Sequence, residues 1–503
     1  MPTFKFSVLA LAASAITSCL ATNVTVSSTA TNATSLDPSL VSFSIEMDHW
    51  ADWAGTLEKP NRFTQTLLKN IVERTGVPPS FRVGGDTEDH SVYVPQYQVV
   101  NDTFPPATNI TPWPEATNVS IGKEFYSLSG NLPAGTKFTW GINLKSRNVT
   151  IAVTEAEALV EAFQSLQHVS LDLIEIGNEP DDYPWTSSED VYIDEWLNVT
   201  NAVTEAIHLQ EGRKPTLQGA AFGGTKFSMV KLIDSGILTN ESGKYISTLS
   251  QHRYQGTFCY GGGGLIQDLM NKAHIRGNLS QYETAITATN QAGLDYVFGE
   301  TNSYSCHGAP GLSNTAGAAV WGIDYSLQAA KLNITRCHFH NGLGYKYNFF
   351  QPISGVSDDG VNDTAPHIMP LYHVLVIVGE AIGQTGRSSI QEITIDDPNT
   401  SGYSIYEDNK LVRVILINSQ LYLSSDSGGR PQTSLSLQGI SGKASLKAKR
   451  FSIPSADATK GLTWAGQSFE TESGIPSGHV VEETVQASNI TMNATSVVLL
   501  SLD

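Results

Sequence analysis

The feature that most constrains this fold is a series of eight short apolar segments that alternate with amphipathic segments between residues 41 and 383. Eight strand–helix repeats are typical of a (β/α)8 TIM barrel with long loops. A doubly wound open sheet is the structural alternative, but no glycine-rich phosphate loop follows the first segment. The predicted strands are VSFSIEM from Val41, FRVGG from Phe81, FTWGINL from Phe138, LDLIEIG from Leu171, TLQGAAF from Thr216, ISTLSQHRY from Ile246, LDYVFGE from Leu294 and RCHFHN from Arg336.

The segments between these strands have the spacing of helices. Phe63, Leu67 and Ile71 share one helical face. Thr154 with Glu157 has the sequence of a capping box, which predicts that a helix begins there. Further helices are predicted over residues 61–75, 189–210 and 315–332, with the last barrel helix over 364–383.

Beyond residue 384 the pattern changes to alternating strands broken by Ser, Gly and Asp turns. This pattern is typical of an antiparallel β-sandwich. We therefore predict a catalytic barrel over residues 41–383 and a β-sandwich domain over 384–503. A strand from residues 23–35 can join that second domain.

The first residues have the character of a signal peptide, because Lys5 precedes an apolar run over 6–16 and small residues follow. We predict a leader over residues 1–21, with cleavage after Ala15 or Ala21 both open. No later run is long enough to span a membrane. Glycosylation sequons begin at Asn23, Asn32, Asn101, Asn109, Asn118, Asn148, Asn198, Asn240, Asn278, Asn333, Asn362, Asn399, Asn489 and Asn493. The sequence therefore predicts a secreted, extracellular glycoprotein.

The charge balance narrows the set of partners. With 30 basic and 49 acidic residues, the chain carries a formal charge of −19. Such a field repels nucleic acids and anionic membranes. We therefore expect neither as a partner, and the sequence leaves the oligomeric state open.

Three cysteines remain if Cys19 leaves with the signal peptide. Cys259 and Cys306 lie just past predicted strands six and seven, on loops at the same end of the barrel, whereas Cys337 lies inside strand eight. Adjacent loops can reach the short Cα separation that a disulfide needs. We predict that Cys259 pairs with Cys306 and that Cys337 stays reduced.

Two glutamates end strands on opposite sides of the predicted barrel. Glu179 lies in IEIGNEP after strand four, and Glu300 lies in YVFGETNS at the end of strand seven. Catalytic residues of such barrels come from the carboxyl ends of the strands. Paired carboxylates are what glycoside hydrolysis requires. The spacing therefore predicts a two-glutamate glycosidase site.

The motifs IGNEP and FGETNS resemble those of the retaining glycosidases of clan A. Together with FRVGGDTED, QHRY and PHIMPLYH they make the chain similar to glycoside hydrolase family 79, the β-glucuronidase and heparanase-like enzymes. This resemblance covers most of the chain, including the second domain. It implies that Glu179 is the general acid/base and Glu300 the nucleophile.

Other residues are expected around this pair because of their positions at strand ends. Arg82 can keep the nucleophile ionised or can serve as a structural ion pair. Glu46 and His252 face the same opening. Asn178 can donate a hydrogen bond to the 2-hydroxyl of the sugar. Three tryptophans near the opening can stack on the sugar or aglycone: Trp50, Trp53 and Trp185.

A glucuronide carries a carboxylate, yet residues 301–330 contain no Lys or Arg. In the β-glucuronidases that the chain resembles, tyrosine hydroxyls and backbone N–H groups hold this carboxylate. The matching positions here are Tyr254, Tyr304, Gly308 and Tyr345. No metal is expected, because His338 and His340 share one face of a strand and lack a clear third ligand. No cofactor is expected either.

We therefore predict a secreted, retaining exo-β-glucuronidase that removes terminal glucuronic acid from glycans or glycoproteins. Whether it accepts 4-O-methyl glucuronic acid is left open. The charge of −19 and the lack of basic runs argue against internal cleavage of sulfated polymers. The alternatives are another clan A enzyme, such as a β-xylosidase or β-glucanase, and a non-catalytic cell-wall carbohydrate-binding protein.

Overall fold

The computed structural model describes residues 21–356, 364–440 and 444–502. The strands are β1 (Thr22–Thr25), β2 (Thr34–Ser35), β3 (Val41–Glu46), β4 (Phe81–Gly84), β5 (Ser91–Tyr93), β6 (Val100–Thr103), β7 (Asn118–Ile121), β8 (Lys137–Ile142), β9 (Ser170–Ile176), β10 (Thr216–Phe222), β11 (Ile246–Thr257), β12 (Asp295–Ser305), β13 (Arg336–Asn341), β14 (Phe350–Gln351), β15 (His367–Ile368), β16 (Ser388–Glu392), β17 (Thr400–Glu407), β18 (Lys410–Asn418), β19 (Gln432–Gln438), β20 (Ser445–Ser452), β21 (Thr463–Trp464), β22 (Glu483–Gln486), β23 (Ile490–Asn493) and β24 (Ser496–Ser501). The α-helices are α1 (Trp50–Ala54), α2 (Arg62–Thr75), α3 (Val149–Gln164), α4 (Glu189–Ala206), α5 (Met229–Asp234), α6 (Ile266–Leu269), α7 (Lys272–Ser280), α8 (Glu283–Gln291), α9 (Ala316–Lys331) and α10 (Tyr372–Ile382).

Eight parallel strands close into a barrel in the order β3, β4, β8, β9, β10, β11, β12, β13. These are the eight strands predicted from the sequence, so the predicted (β/α)8 fold is confirmed. All residues of β3 and β4 are buried, including the polar Ser44 and Arg82, because parallel barrel strands are covered on both faces. At the base of the barrel Phe43 stacks on Phe81, with ring centroids 4.6 Å apart.

Helix α2 begins and ends where its sequence predicts. The Asn61 side chain accepts a hydrogen bond from the Thr64 N–H, and Gly76 closes the helix with φ +77°. The capping box predicted at Thr154 is wrong. Helix α3 already begins at Val149, because the Asn148 side chain caps it and accepts from two backbone N–H groups. The Thr154 hydroxyl instead donates within the helix to the carbonyl of Thr150.

Two helices are shorter than predicted. Helix α4 ends at Ala206, four residues before the predicted end. Helix α10 begins at Tyr372 rather than at residue 364. Pro366 and Pro370 lack the backbone N–H that a helix interior needs, and the segment between them contributes the short strand β15.

After α10 the chain forms antiparallel sheets. An eight-stranded sheet runs β2-β16-β17-β18-β24-β20-β21, with β22 beside β20, and a three-stranded sheet runs β1-β19-β23. Strands β1 and β2 therefore bring residues 22–35 into these sheets. Their shared core includes Val414, Leu416, Leu435, Val498 and Leu500.

The predicted disulfide is confirmed, with the Cα atoms of Cys259 and Cys306 5.0 Å apart. Cys337 is a free thiol and is buried, as predicted. No helix in the described ranges is both long and apolar enough to cross a membrane. The predicted signal peptide, up to residue 20, and the sequon at Asn362 lie outside the described residues.

Arg276 joins the barrel to the sheet domain. From α7 it donates to Asp324 of α9 at 2.7 Å, to Glu392 of β16 at 2.9 Å and to the Tyr403 hydroxyl of β17 at 2.9 Å. The guanidinium and its carboxylates are mostly shielded from water. Such a shielded network leaves charges unpaired when one partner is removed.

We therefore expect Arg276→Met to lower the free energy of unfolding by about 3 kcal/mol. The matched control is Arg387→Met, which breaks the exposed Arg387–Asp408 pair and should leave the free energy of unfolding almost unchanged, because solvent screens this pair. Urea unfolding of both variants measures the difference. Equal shifts would contradict a structural role for Arg276 at the domain boundary.

Candidate active site

A cavity of about 410 Å³ opens at the carboxyl ends of the barrel strands. Its size is in the range of small-molecule sites. Its lining is polar and strongly acidic. The lining residues are Glu46, Asp86, Glu115, Glu179, Gly223, Gly224, Thr225, His252, Arg253, Tyr254, Gln281, Tyr282, Glu300, Ser305, Cys306, His307, His340 and Tyr347.

A strained turn after β9 aims Glu179 into the cavity. Gly177 has φ +89° and Glu179 itself has φ +48°, a left-handed conformation that is costly for residues other than glycine. The Glu179 N–H donates to the carbonyl of Ala221 at 3.0 Å, which fixes the turn. Nδ1 of His252 lies 2.9 Å from a Glu179 carboxyl oxygen. The carboxyl group is therefore held by two neighbouring strand ends.

Glu300 lies inside β12, where cationic and hydroxyl groups surround its carboxylate. Arg82 donates to one oxygen at 2.8 Å, and the Tyr254 hydroxyl donates to the other at 2.7 Å. Burial alone would raise the pKa of Glu300. The charges of His340, His252 and Arg82 outweigh it and lower this pKa to about 2. Glu300 is therefore ionised at neutral pH.

Arg82 is fully buried and donates hydrogen bonds to three more groups. It donates two hydrogen bonds to Glu175, at 2.6 and 2.8 Å, one to Ser44 at 3.0 Å and one to Oδ1 of Asn178 at 2.7 Å. The two interpretations left open by the sequence are both realised. Arg82 contacts Glu300 and also forms a structural ion pair with Glu175.

Glu179, His252 and Glu300 each place one oxygen or nitrogen atom within 4.8 Å of the others. Carboxyl groups about 5–5.5 Å apart are typical of retaining glycosidases, whereas inverting enzymes leave about 6.5–9.5 Å for a water molecule. The geometry therefore suits a double displacement. The same three atoms are also close enough to ligate a cation.

Several predicted substrate residues lie where the sequence places them. Glu46, His252 and Tyr254 line the cavity. Asn178 is buried beside it, but its amide donates to Asp86 at 3.2 Å. In this arrangement Asn178 orients Asp86 as well as Arg82.

Three of the residues predicted to hold the substrate carboxylate are not among the lining residues of this cavity, and their role stays a prediction: Tyr304, Gly308 and Tyr345. Strand β12 continues to Ser305, so pairing with β11 sets the Tyr304 ring against the backbone of Gly256. Gly308 packs under neighbouring side chains. The Tyr345 hydroxyl donates to Glu115, a lining residue, at 2.8 Å.

The tryptophan predictions also fail. Trp50 and Trp53 are fully buried, and Trp50 packs edge-on against Phe138 in the core. Trp185 is half-buried, donates to the carbonyl of Lys145 and is not among the lining residues. Large aromatic side chains are more often core than surface, which explains the error.

Sequence reasoning did not select several polar lining residues, among them Asp86, Glu115, His307 and Tyr347, and it considered His340 only as a metal ligand. Asp86 and His340 end strands and follow from the barrel pattern. Tyr347 lies only two residues beyond the predicted Tyr345. Glu115 and His307 lie on long loops, and nothing in the sequence indicates that these loops meet.

The acidic lining residues differ in pKa. Burial, together with the charges of Glu46, Glu179 and Glu115, raises the pKa of Asp86 well above its usual range. Burial would also raise the pKa of Glu115, but hydrogen bonds from His307 and Tyr345 and the charge of His307 lower it to about 2. The pKa values of these two carboxyl groups are therefore shifted in opposite directions, and Glu115 is an anion at neutral pH.

A parallel eight-stranded barrel with two close glutamates at its carboxyl end defines the barrel glycoside hydrolases. Residues 402–499 match the model of the glycosyl hydrolase family 79 C-terminal beta domain. A curated β-glucuronidase of Aspergillus niger is 31% identical over 460 residues, covering 86% of this chain and 83% of the relative. A β-glucuronidase of Neurospora crassa is 30% identical over 493 residues, covering 86% and 84%. The chain belongs to glycosyl hydrolase family 79 and is a glycoside hydrolase.

Solved structures agree on the fold. The crystal structure of a 4-O-α-L-rhamnosyl-β-D-glucuronidase from Fusarium oxysporum 12S, in complex with Rha-GlcA, superposes with a TM-score of 0.80 at 24% identity. The superposition covers 95% of this chain and 100% of the Fusarium chain. A family 51 α-L-arabinofuranosidase from Bifidobacterium longum superposes with a TM-score of 0.61 at 15% identity, covering 95% and 98%.

The contact between Arg82 and Glu300 predicts a specific pH effect. Arg82→Met removes a buried positive charge beside the carboxylate, so the pKa of Glu300 should rise from about 2. The acidic limb of the kcat/KM–pH profile should then move upward by at least about one pH unit. The profile of Arg276→Met, which is remote from the cavity, is the control. An unshifted limb in Arg82→Met would contradict this electrostatic role.

Proposed function

We propose that this glycoside hydrolase is an exo-acting β-glucuronidase that works by a retaining double displacement. The observation that carries the mechanism is the spacing of Glu179 and Glu300, whose nearest side-chain oxygens fall within 4.8 Å. The names of the two curated relatives support the substrate, since both are β-glucuronidases.

In the first step the ionised Glu300 attacks the anomeric carbon, and the bond to the leaving oxygen breaks. Glu179 gives its proton to that oxygen, so a covalent glycosyl-enzyme and a free alcohol result. In the second step Glu179 accepts a proton from water, whose oxygen displaces Glu300. Two inversions leave the β-configuration unchanged.

The surrounding groups fit these two roles. Arg82 and Tyr254 donate to Glu300 and keep it anionic before attack. Among the residues that the structure describes, Glu179 has one side-chain hydrogen-bond partner, His252, and it lines the cavity, so it can exchange a proton with substrate or water. The charge of −19 disfavours a sulfated polymer, which supports removal of a terminal sugar.

We also propose that the protein is secreted as a glycoprotein. The signal-like start and the many sequons motivate this proposal. The Cys259–Cys306 disulfide supports it, because such bonds persist in oxidising compartments.

Two alanine variants test the assignment of roles. Glu300→Ala should lose nearly all turnover, because no other group can form the covalent bond. Glu179→Ala should still form the glycosyl-enzyme from an aryl β-glucuronide, whose leaving group departs without a proton. It should then stall, and added azide should restart it and yield a β-glycosyl azide.

Alkyl β-glucuronides need protonation, so Glu179→Ala should be almost inactive on them with or without azide. Product analysis by NMR measures the configuration of the azide. Similar, modest losses in both alanine variants would contradict the mechanism. Wild-type turnover of an aryl β-xyloside or β-glucoside in preference to the glucuronide would contradict the proposed substrate.

The double displacement needs no metal, although three groups at its centre could ligate one. Dialysis against a chelator should leave the rate of glucuronide hydrolysis unchanged. Loss of activity that zinc or calcium restores would contradict the mechanism. A dialysis without chelator controls for inactivation during handling.

A further inference from the structure

The wall beside Glu179 is formed by two glycines that follow β10. Gly223 and Gly224 come directly after Phe222, the last residue of the strand, and both line the cavity. A Cβ atom at Gly223 would lie 3.0 Å from Cδ of Glu179, 3.1 Å from Oε1 and 3.2 Å from Oε2. Because these three distances are nearly equal, one face of the carboxyl group lies flat against Gly223. A side chain at this position would press on the carboxyl group.

The backbone of Gly223 is held by a buried carboxyl group from the neighbouring turn. The Gly223 N–H donates to Oδ1 of Asp181 at 2.8 Å, and Asp181 is only 1% exposed. Asp181 lies two residues beyond Glu179, in the short helical turn Pro180–Asp182. The turn that carries Glu179 therefore also fixes the segment against which the Glu179 carboxyl group rests.

A second hydrogen bond joins the same two segments in the opposite direction. The Glu179 N–H donates to the carbonyl of Ala221 at 3.0 Å. Ala220 and Ala221 have φ +74° and +50°, and the pairing of β10 with β11 shifts register between Ala220 and Phe222. Consecutive left-handed residues with side chains are costly, and such strain is frequent at functional sites. This strained bulge lies where the two hydrogen bonds reach β10.

The neighbouring strand β11 holds the second glycine. Nε2 of Gln251 donates to the Gly224 carbonyl at 2.6 Å. Gln251 directly precedes His252, whose Nδ1 lies 2.9 Å from Oε1 of Glu179. The Glu179 carboxyl group therefore lies against two elements that are themselves fixed, the backbone of Gly223 and the ring of His252.

We propose that Asp181 is a positioning residue for the acid/base glutamate: by accepting the Gly223 N–H, it holds the glycine wall against the Glu179 carboxyl group and so keeps that group aimed at the leaving oxygen. This inference rests on the proposed role of Glu179. Asp181 is not among the lining residues, so it acts through Gly223 rather than on the substrate. Proton transfer needs a donor within hydrogen-bond reach of the leaving oxygen. A misplacement of about 1 Å can cost roughly 100-fold in rate.

The test compares an alkyl β-glucuronide, whose leaving oxygen needs a proton, with a nitrophenyl β-glucuronide, whose leaving group does not. Asp181→Ala removes the acceptor for the Gly223 N–H, whereas Asp181→Asn keeps an oxygen that can accept it. The matched control is Asp182→Ala. Asp182 lies in the same turn, but it is exposed and its carboxylate pairs with Lys226 at 2.9 Å.

We expect Asp181→Ala to lower kcat/KM for the alkyl glucuronide by roughly 10–100-fold, because the acid is no longer held in line with the leaving oxygen. For the nitrophenyl glucuronide kcat/KM should change by less than about threefold, since no proton is needed. Its kcat should still fall, because hydrolysis of the glycosyl-enzyme needs Glu179 as a base. Asp181→Asn should stay within about threefold of the wild type on both substrates. Asp182→Ala should leave both substrates unchanged, and steady-state kinetics on the full chain give these values.

Gly223→Ala tests the same contact from the other side. Gly223 is not among the glycines with positive φ, so its backbone accepts alanine. The three atoms nearest to the added Cβ all belong to the Glu179 carboxyl group. We therefore expect the same selective loss on the alkyl substrate as in Asp181→Ala.

Equal losses on both substrates in Asp181→Ala, or no loss on either, would overturn the positioning role. So would an Asp181→Asn variant that is as impaired as Asp181→Ala. Glu179→Ala is the reference on the same two substrates: if it shows no dependence on the leaving group, the proposed acid/base role fails instead. Circular dichroism and the melting temperature confirm that each variant is folded. If Asp181→Ala does not fold, the ratio of the two substrates in Gly223→Ala decides the question.

Discussion

The fully buried guanidinium of Arg82 is the interaction on which both the barrel centre and the site depend. The guanidinium is fully shielded from solvent, and it contacts side chains on three separate barrel strands, β3, β9 and β12. A buried charge is tolerated only when it is paired and hydrogen-bonded. Glu175 provides structural pairing, whereas the bond to Glu300 places an ionised carboxylate at the cavity floor. Stability and reactivity therefore depend on one side chain.

Around Arg82, burial tends to raise the pKa of Asp86, Glu115 and Glu300, and the neighbouring side chains decide whether each pKa finally rises or falls. Asp86 has acidic neighbours, so its pKa is raised well above the usual range. Glu300 and Glu115 have histidine, arginine or tyrosine partners, so their pKa values fall to about 2. The site thus combines one carboxyl group whose pKa is raised with two whose pKa values are lowered, all in one cavity. Divergent pKa values of this kind allow acid and base roles to coexist at one pH.

Much of the fold and the central pair of the site could be predicted, because both follow local patterns. The eight barrel strands appear as apolar runs, and barrel topology alone brings the ends of strands four and seven to one opening. The errors have local causes too. Helix α3 begins before Thr154, because the Asn148 side chain caps it. Helix α10 begins later than predicted, because two prolines precede it. The sequence did not indicate that pairing between β11 and β12 continues past the predicted strand ends, which sets the Tyr304 ring against Gly256.

The sequence by itself determined the barrel, the sheet domain, the disulfide partners and the two glutamates at opposing strand ends. These follow from periodicity and from chain topology, which are local or nearly local properties. Only the tertiary structure decided which side chains meet in the cavity wall. Glu115 and His307 are 192 residues apart in the chain and lie on loops without a regular pattern. Their contact depends on how separate loops fold over the barrel, and sequence spacing does not encode that geometry.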